Sequence, residues 1–243
     1  MDVKHGFTHP LFENSSLIEK GLNLQAVFDI AHLPTDVYSA LSKEYDDLLS
    51  YRQLVLIGHG GTGLWNEVSS IVACADAADH PIDSFSIDSV KQFFSEKVPD
   101  LSYRVVYPGS SLIPLQQLGE LAGWHNDSPF KVGVNQVWGS WFAYRVCVLT
   151  DSDWSASSVV KLESPCSRCQ EQPCITACPA GAMSDGDFHI NNCIAFRQKV
   201  KSDCNQRCLA RLACPIGDEH KYSTDQLSYH YSRSLRMIKQ SMK

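Results

Sequence analysis

Eight of the ten cysteines in this 243-residue chain lie between Cys166 and Cys214, and no other feature limits its fold and chemistry as much. Residues 164–179 read SPCSRCQEQPCITACP, which places Cys166, Cys169, Cys174 and Cys178 at the spacing C-x2-C-x4-C-x3-C, with Pro179 next. Cys193, Cys204, Cys208 and Cys214 follow, and Pro215 again comes directly after the last. Thiols this dense form disulfides, bind metal or hold iron–sulfur clusters. The N-terminal stretch MDVKHGFTHPLFENSS has no apolar core of a secretion signal, and no apolar run is long enough to span a bilayer. The chain is therefore expected in the cytoplasm, away from membranes, where thiols stay reduced and clustered cysteines favour metal.

Eight soft thiolates complete two four-ligand sites, suited to 4Fe–4S clusters or to tetrahedral zinc. Three features favour iron–sulfur. Two Cys-Pro pairs each close a group, as in two-cluster ferredoxins. Ala177, Ala180, Gly181 and Ala182 around Cys178 are small enough to let backbone N–H groups approach cluster sulfurs. No histidine stands at zinc spacing within the group. In a two-cluster ferredoxin the cysteine before proline reaches across to the other cluster. Chain order then assigns Cys166, Cys169, Cys174 and Cys214 to one cluster, and Cys178, Cys193, Cys204 and Cys208 to the other. The two residues inserted between Cys169 and Cys174, compared with a ferredoxin run, are expected to bulge outward beside Pro173.

The rest of the chain reads as α/β (α+β). Residues 1–155 alternate short apolar runs (LQAVFDI, QLVLIG, YRVVY, WFAYRVCVLT) with helical periodicity, and residues 156–243 hold the cysteines and a terminal helix from TDQLSYHYSRSLRMIKQSM. Ser86 is expected to cap a helix over SIDSVKQFFSEKV, and Gly123 to end one over LIPLQQLGELAG. Cys74 and Cys147 stand among apolar residues and are expected as buried small hydrophobes. Gly58, Gly60 and Gly63 match G-x-G-x-x-G between a strand and a helix. That pattern serves a dinucleotide, a tight turn against the core, or contact with another cofactor, and His59 is expected to be exposed in the turn.

Two segments together resemble the epoxyqueuosine reductases, relatives of the reductive dehalogenases. One is AGWHNDSPFKVGVNQVWGSWFAYRVCVLTD; the other is the order of all eight cysteines, including the isolated one in FHINNCIAFRQK. The resemblance runs over roughly residues 100–216. It implies a nitroreductase-like cofactor domain carrying cobalamin (residues 1–155) and a C-terminal two-cluster ferredoxin-like module (156–243). It also implies pocket walls at 58–63, 107–112, 123–130 and 138–142, with Gly109, Ser110, Trp124, His125, Asn126, Gly139, Ser140 and Trp141 against the corrinoid. Where the family carries an acidic proton donor this chain has Tyr107, which can serve as donor or pack as a strand-end aromatic.

The implied activity is that of an iron–sulfur oxidoreductase. Electrons from a low-potential donor of ferredoxin or flavodoxin type would pass through two 4Fe–4S clusters to the corrinoid for reductive chemistry on a small substrate. A cobalamin-handling protein without its own organic substrate and a corrinoid-free electron-transfer protein are the alternatives. The family's C-terminal helical-repeat segment has no counterpart here. With a net charge of −6 as well, tRNA is expected to be an unlikely partner.

Overall fold

Four of the apolar runs pair into one sheet. The computed structural model describes residues 8–76, 80–110, 112–158 and 163–241. Strands β1 (Leu24–Asp29), β2 (Gln53–Gly60), β3 (Tyr103–Tyr107) and β4 (Phe142–Thr150) lie in the order β1-β2-β4-β3. Every neighbouring pair is antiparallel, with Leu56 opposite Cys147 at the centre and Tyr107 also opposite Cys147 on the other side. Strand β2 is buried along its whole length, which fits its place between two partners and explains why it reads as a continuous apolar run.

The helices of this part are α1 (Ser16–Glu19), α2 (Thr35–Glu44), α3 (Gly63–Cys74), α4 (Pro81–Lys97) and α5 (Leu115–Leu121). Helix α2 buries Val37 and Leu41, and α4 buries Val90, Phe93 and Phe94. Helix α4 starts at Pro81, a residue that loses nothing at a first turn because its missing N–H has no intrahelical acceptor there. Ser86 is therefore not the cap expected for it. It lies inside the helix, where its hydroxyl donates to the Ile82 carbonyl at 2.7 Å. Gly123 does follow α5 in the left-handed region, at φ +72°.

Contacts divide the chain into two units, Met1–His125 with Phe142–Leu162 and Asn126–Trp141 with Glu163–Lys243. The second takes in 126–141, upstream of β4, as well as the cysteine segment. It contains short helices α6 (Pro173–Thr176), α7 (Ile190–Arg197) and α8 (Leu209–Leu212) and the long α9 (Thr224–Ser241). Its apolar core joins Phe130, Val134, Met183 and Ala210 to Cys174 and Cys214, with Cys166, Cys178 and Cys208 packed against it. The insertion between Cys169 and Cys174 ends at Gln172, left-handed at φ +40°, and Pro173 opens α6. Among the described residues no helix is long and apolar enough to cross a membrane.

Candidate functional site: two thiol quartets and a strand-end tyrosine

The second unit brings the eight clustered cysteines into two electrostatic neighbourhoods. The Cys166 thiol is raised from 9.0 to about 11, by burial first and then by the nearby thiols of Cys214, Cys174 and Cys169, against a bond from Ser164. Cys174 is raised by burial and then by Cys214 and Cys169. Cys193 is raised by burial and by Cys208, Cys178 and Cys204, with Arg197 acting in the opposite direction. Cys204 likewise sits beside Cys208 and Cys178. Each set of four thiols mixes residues far apart in sequence, and Cys178 faces Cys193, Cys204 and Cys208 rather than the three cysteines just before it.

Cys178, Cys193, Cys204 and Cys208 wall a single cavity of about 340 Å³ together with apolar and arginine side chains. All ten cysteines are free thiols. No group of three or more His, Cys, Asp or Glu side chains among the described residues is drawn together as a preformed metal site. Ligands of this kind give up protons and close up when metal binds. The donor chemistry and the four-thiol cavity fit a soft, sulfur-liganded group.

The thiols also set a pH dependence for the metal-free protein. In the folded chain Cys166 holds its proton to about 11, whereas an unfolded thiol releases it near 9.0. Its contribution to stability is present below the lower value and is lost as pH rises through the upper one. Thermal unfolding of the metal-free protein is expected to be flat around neutrality and to fall in temperature across that window. A melting temperature that does not change there would contradict the buried placement.

In the first unit, Tyr107 ends β3 half-buried, and its phenol is raised above 10.0 by burial first, with Arg145 opposing and Asp83 adding. Gly109 and Ser110 follow it on the surface; Ser111, within the same expected pocket wall, lies outside the described residues. Trp124 and His125 are buried. The Trp124 ring stacks on Tyr144 at 6.4 Å, and His125 Nδ1 lies 3.1 Å from the Tyr144 hydroxyl.

The glycine motif does not form a phosphate loop. Gly58 and Gly60 belong to β2, and a bulge between Ile57 and Gly58 resets the pairing with β4. A Cβ on Gly58 would stand 2.8 Å from the Ala143 carbonyl oxygen and 3.2 Å from the Trp124 ring, so close packing explains this glycine. His59 is fully buried rather than exposed, and its Nδ1 accepts from Arg145 Nε at 3.0 Å. The exposure of Cys74 also departs from expectation, whereas Cys147 is buried as expected. Nothing in the spacing of the sequence singles out Arg145.

In the second unit, the Asn126 side chain donates to the Val134 carbonyl at 3.0 Å. Gly139 packs against the backbone of Ile216, Ser140 accepts from Arg211, and Trp141 lies beneath the Arg211 guanidinium and beside Tyr222. Ser140 and Trp141 are both 0% exposed. Tyr107, Gly109 and Ser110 keep accessible surface.

No family model and no curated protein matches the chain. Solved structures do. Epoxyqueuosine reductase from Bacillus subtilis, solved with its catalytic loop swung out of the active site, is 14% identical with a TM-score of 0.54 over 84% of this chain. Epoxyqueuosine reductase with a tRNA-Tyr epoxyqueuosine-modified stem loop is 14% identical with a TM-score of 0.55 over 86%. A selenomethionine-labelled epoxyqueuosine reductase is 13% identical with a TM-score of 0.50 over 86%. The chain spans 64–65% of the length of these reductases. The stem-loop structure overturns the expectation that tRNA is an unlikely partner. Net charge is a whole-chain average and does not describe the local surface that meets a nucleic acid. In fold, the chain is similar to the epoxyqueuosine reductases.

Proposed function

We propose that this protein is an iron–sulfur oxidoreductase that uses two 4Fe–4S clusters in a ferredoxin-like module to drive reductive chemistry on a substrate. The observation that carries the reading is the division of eight thiols into two mutually interacting sets of four. Cys166, Cys169, Cys174 and Cys214 would hold one cluster, and Cys178, Cys193, Cys204 and Cys208 the other. Bound clusters supply one-electron transfer, and the corrinoid implied by the resemblance supplies a reducible cobalt in a nitroreductase-like domain. The chain's own part is to hold the clusters in an apolar shell and to place a proton donor. Because one structure of this fold carries an epoxyqueuosine-modified tRNA stem loop, a modified nucleoside within RNA is the first substrate to test.

Tyr107 is the proton donor in this reading. Burial keeps its phenol protonated beyond 10.0, so a donor here works across the neutral range and fails only as pH rises above that value. Tyr107→Phe is expected to cut turnover by about 10²–10⁴-fold, the usual worth of a positioned acid, while cluster reduction by dithionite and the spectrum of added cobalamin stay as in the parent. Full turnover in the phenylalanine variant would remove Tyr107 from the chemistry. An unshifted cobalamin spectrum in the reconstituted parent would remove the corrinoid and leave electron transfer.

A further inference from the structure

The two thiol quartets sit in unlike electrostatic surroundings. The cavity walled by Cys178, Cys193, Cys204 and Cys208 is also lined by Arg197, Arg207 and Arg211. Arg207 is exposed and lies 3.6 Å from Asp203, so its charge has an acidic partner. Arg197 and Arg211 are each only 8% exposed, and among the described residues neither is paired with a carboxylate.

Arg197, the last residue of α7, uses its donors on neutral groups. Its Nε bonds to the Cys204 carbonyl at 3.3 Å and its two Nη atoms to the Ser234 hydroxyl at 3.2 Å and the Tyr231 carbonyl at 3.0 Å. It stands one helical turn after Cys193 on the same helix, so both face the same side. Arg211 bonds to Ser140 through Nε at 3.1 Å and stacks over Trp141 and Tyr222 at 4.4 and 4.9 Å. A buried guanidinium without a counter-ion is costly. Two of them beside four thiols favour an anion in that cavity.

Among the described residues no other arginine or lysine is buried, so the other quartet has no such cations there. The cation acting on Cys214 is Lys221, which is itself ion-paired with Asp218. We propose that Arg197 and Arg211 make the cluster on Cys178, Cys193, Cys204 and Cys208 the higher-potential of the two, so that it is reduced first and stores the incoming electron. This rests on the two-cluster reading above. On one-electron reduction the cluster gains an electron from the external reductant and with it one unit of negative charge. The two fixed guanidiniums stabilise that reduced form more than the oxidised one.

The test is potentiometric titration of the anaerobically reconstituted full chain with dithionite, followed by electron paramagnetic resonance. Iron content is measured on each sample. Arg197→Gln is expected to lower the higher midpoint and leave the lower one in place. At a fixed applied potential near the parent midpoint, the reduced-to-oxidised ratio of that cluster should fall about tenfold, equivalent to about 59 mV for one electron.

Ser234→Asp keeps the arginine but gives it a carboxylate, and should move the same midpoint in the same direction. Arg197→Lys, which keeps the charge, should leave it near the parent value. Full iron with both midpoints unmoved in Arg197→Gln and Ser234→Asp, or movement of the lower midpoint alone, would overturn the proposal. A parent protein that takes up no iron would instead overturn the cluster reading.

Discussion

Replacing Cys214 with serine should remove one cluster and spare the other. Iron per chain is expected to fall from about eight to about four, since each 4Fe–4S cluster needs four thiolates. Cys214 is 40 residues beyond Cys174 in sequence, yet its thiol acts on Cys166 and Cys174. Cys178 is only four residues from Cys174, yet its thiol acts on Cys193 and Cys204. Cys178→Ser should therefore also halve the iron but remove the other cluster, and the double variant should hold almost none. The two single variants should give different residual resonance spectra, because the surviving clusters differ in their surroundings. If both left the same spectrum, or if Cys178→Ser abolished the cluster of Cys166, Cys169 and Cys174, the crossed arrangement would be wrong.

The second large effect is expected at Gly139. Its φ is +55°, and an added Cβ would stand 1.9 Å from the Ile216 carbonyl oxygen, a backbone atom with no room to yield. Gly217 faces it from the other side at φ +66°, where a Cβ would be 2.4 Å from the Gly139 nitrogen. These two glycines let the loop at 135–139 lie directly on the segment that follows Cys214-Pro215. Gly139→Ala combines left-handed strain with a backbone collision, and should cost on the order of 3 kcal/mol or more. Because the displaced segment carries Cys214, the same variant should lose iron from the quartet of Cys166, Cys169 and Cys174 before the other. Chemical unfolding with iron analysis reads both effects. A stable variant with full iron would contradict the close packing.

What was legible in the sequence follows from which forces act locally. The apolar runs at 24–29, 53–60, 103–107 and 142–150 declared themselves as strands, and the helices over 35–44 and 63–74 showed their apolar spacing. The antiparallel sheet order was not legible, because pairing depends on long-range closure rather than on periodicity. Ser86 had the residue type of a cap, but Pro81 upstream starts the helix earlier. The G-x-G-x-x-G match failed because a bulge and a tryptophan ring, both outside the motif, explain Gly58.

At the site the contrast is sharper. Cysteine order alone suggested which thiols meet, since Cys-Pro pairs mark chain reversal in a known arrangement. Nothing local announced the packing contacts of Gly139, Ser140 and Trp141. Their partners, Ile216, Arg211 and Tyr222, lie more than seventy residues away. Nothing local announced the burial of Arg197 and Arg211 either. Residues 197–211 are rich in basic side chains, yet Arg197 and Arg211 are buried beside the thiols.

Two iron–sulfur clusters on eight thiols would be read out by Mössbauer spectroscopy of the full chain reconstituted with iron-57 and sulfide without oxygen. The expected result is about eight irons per chain, all in the 4Fe–4S state, in equal parts from two clusters. Stoichiometric zinc with no visible absorption band, or a single cluster that persists when either quartet is mutated, would contradict it.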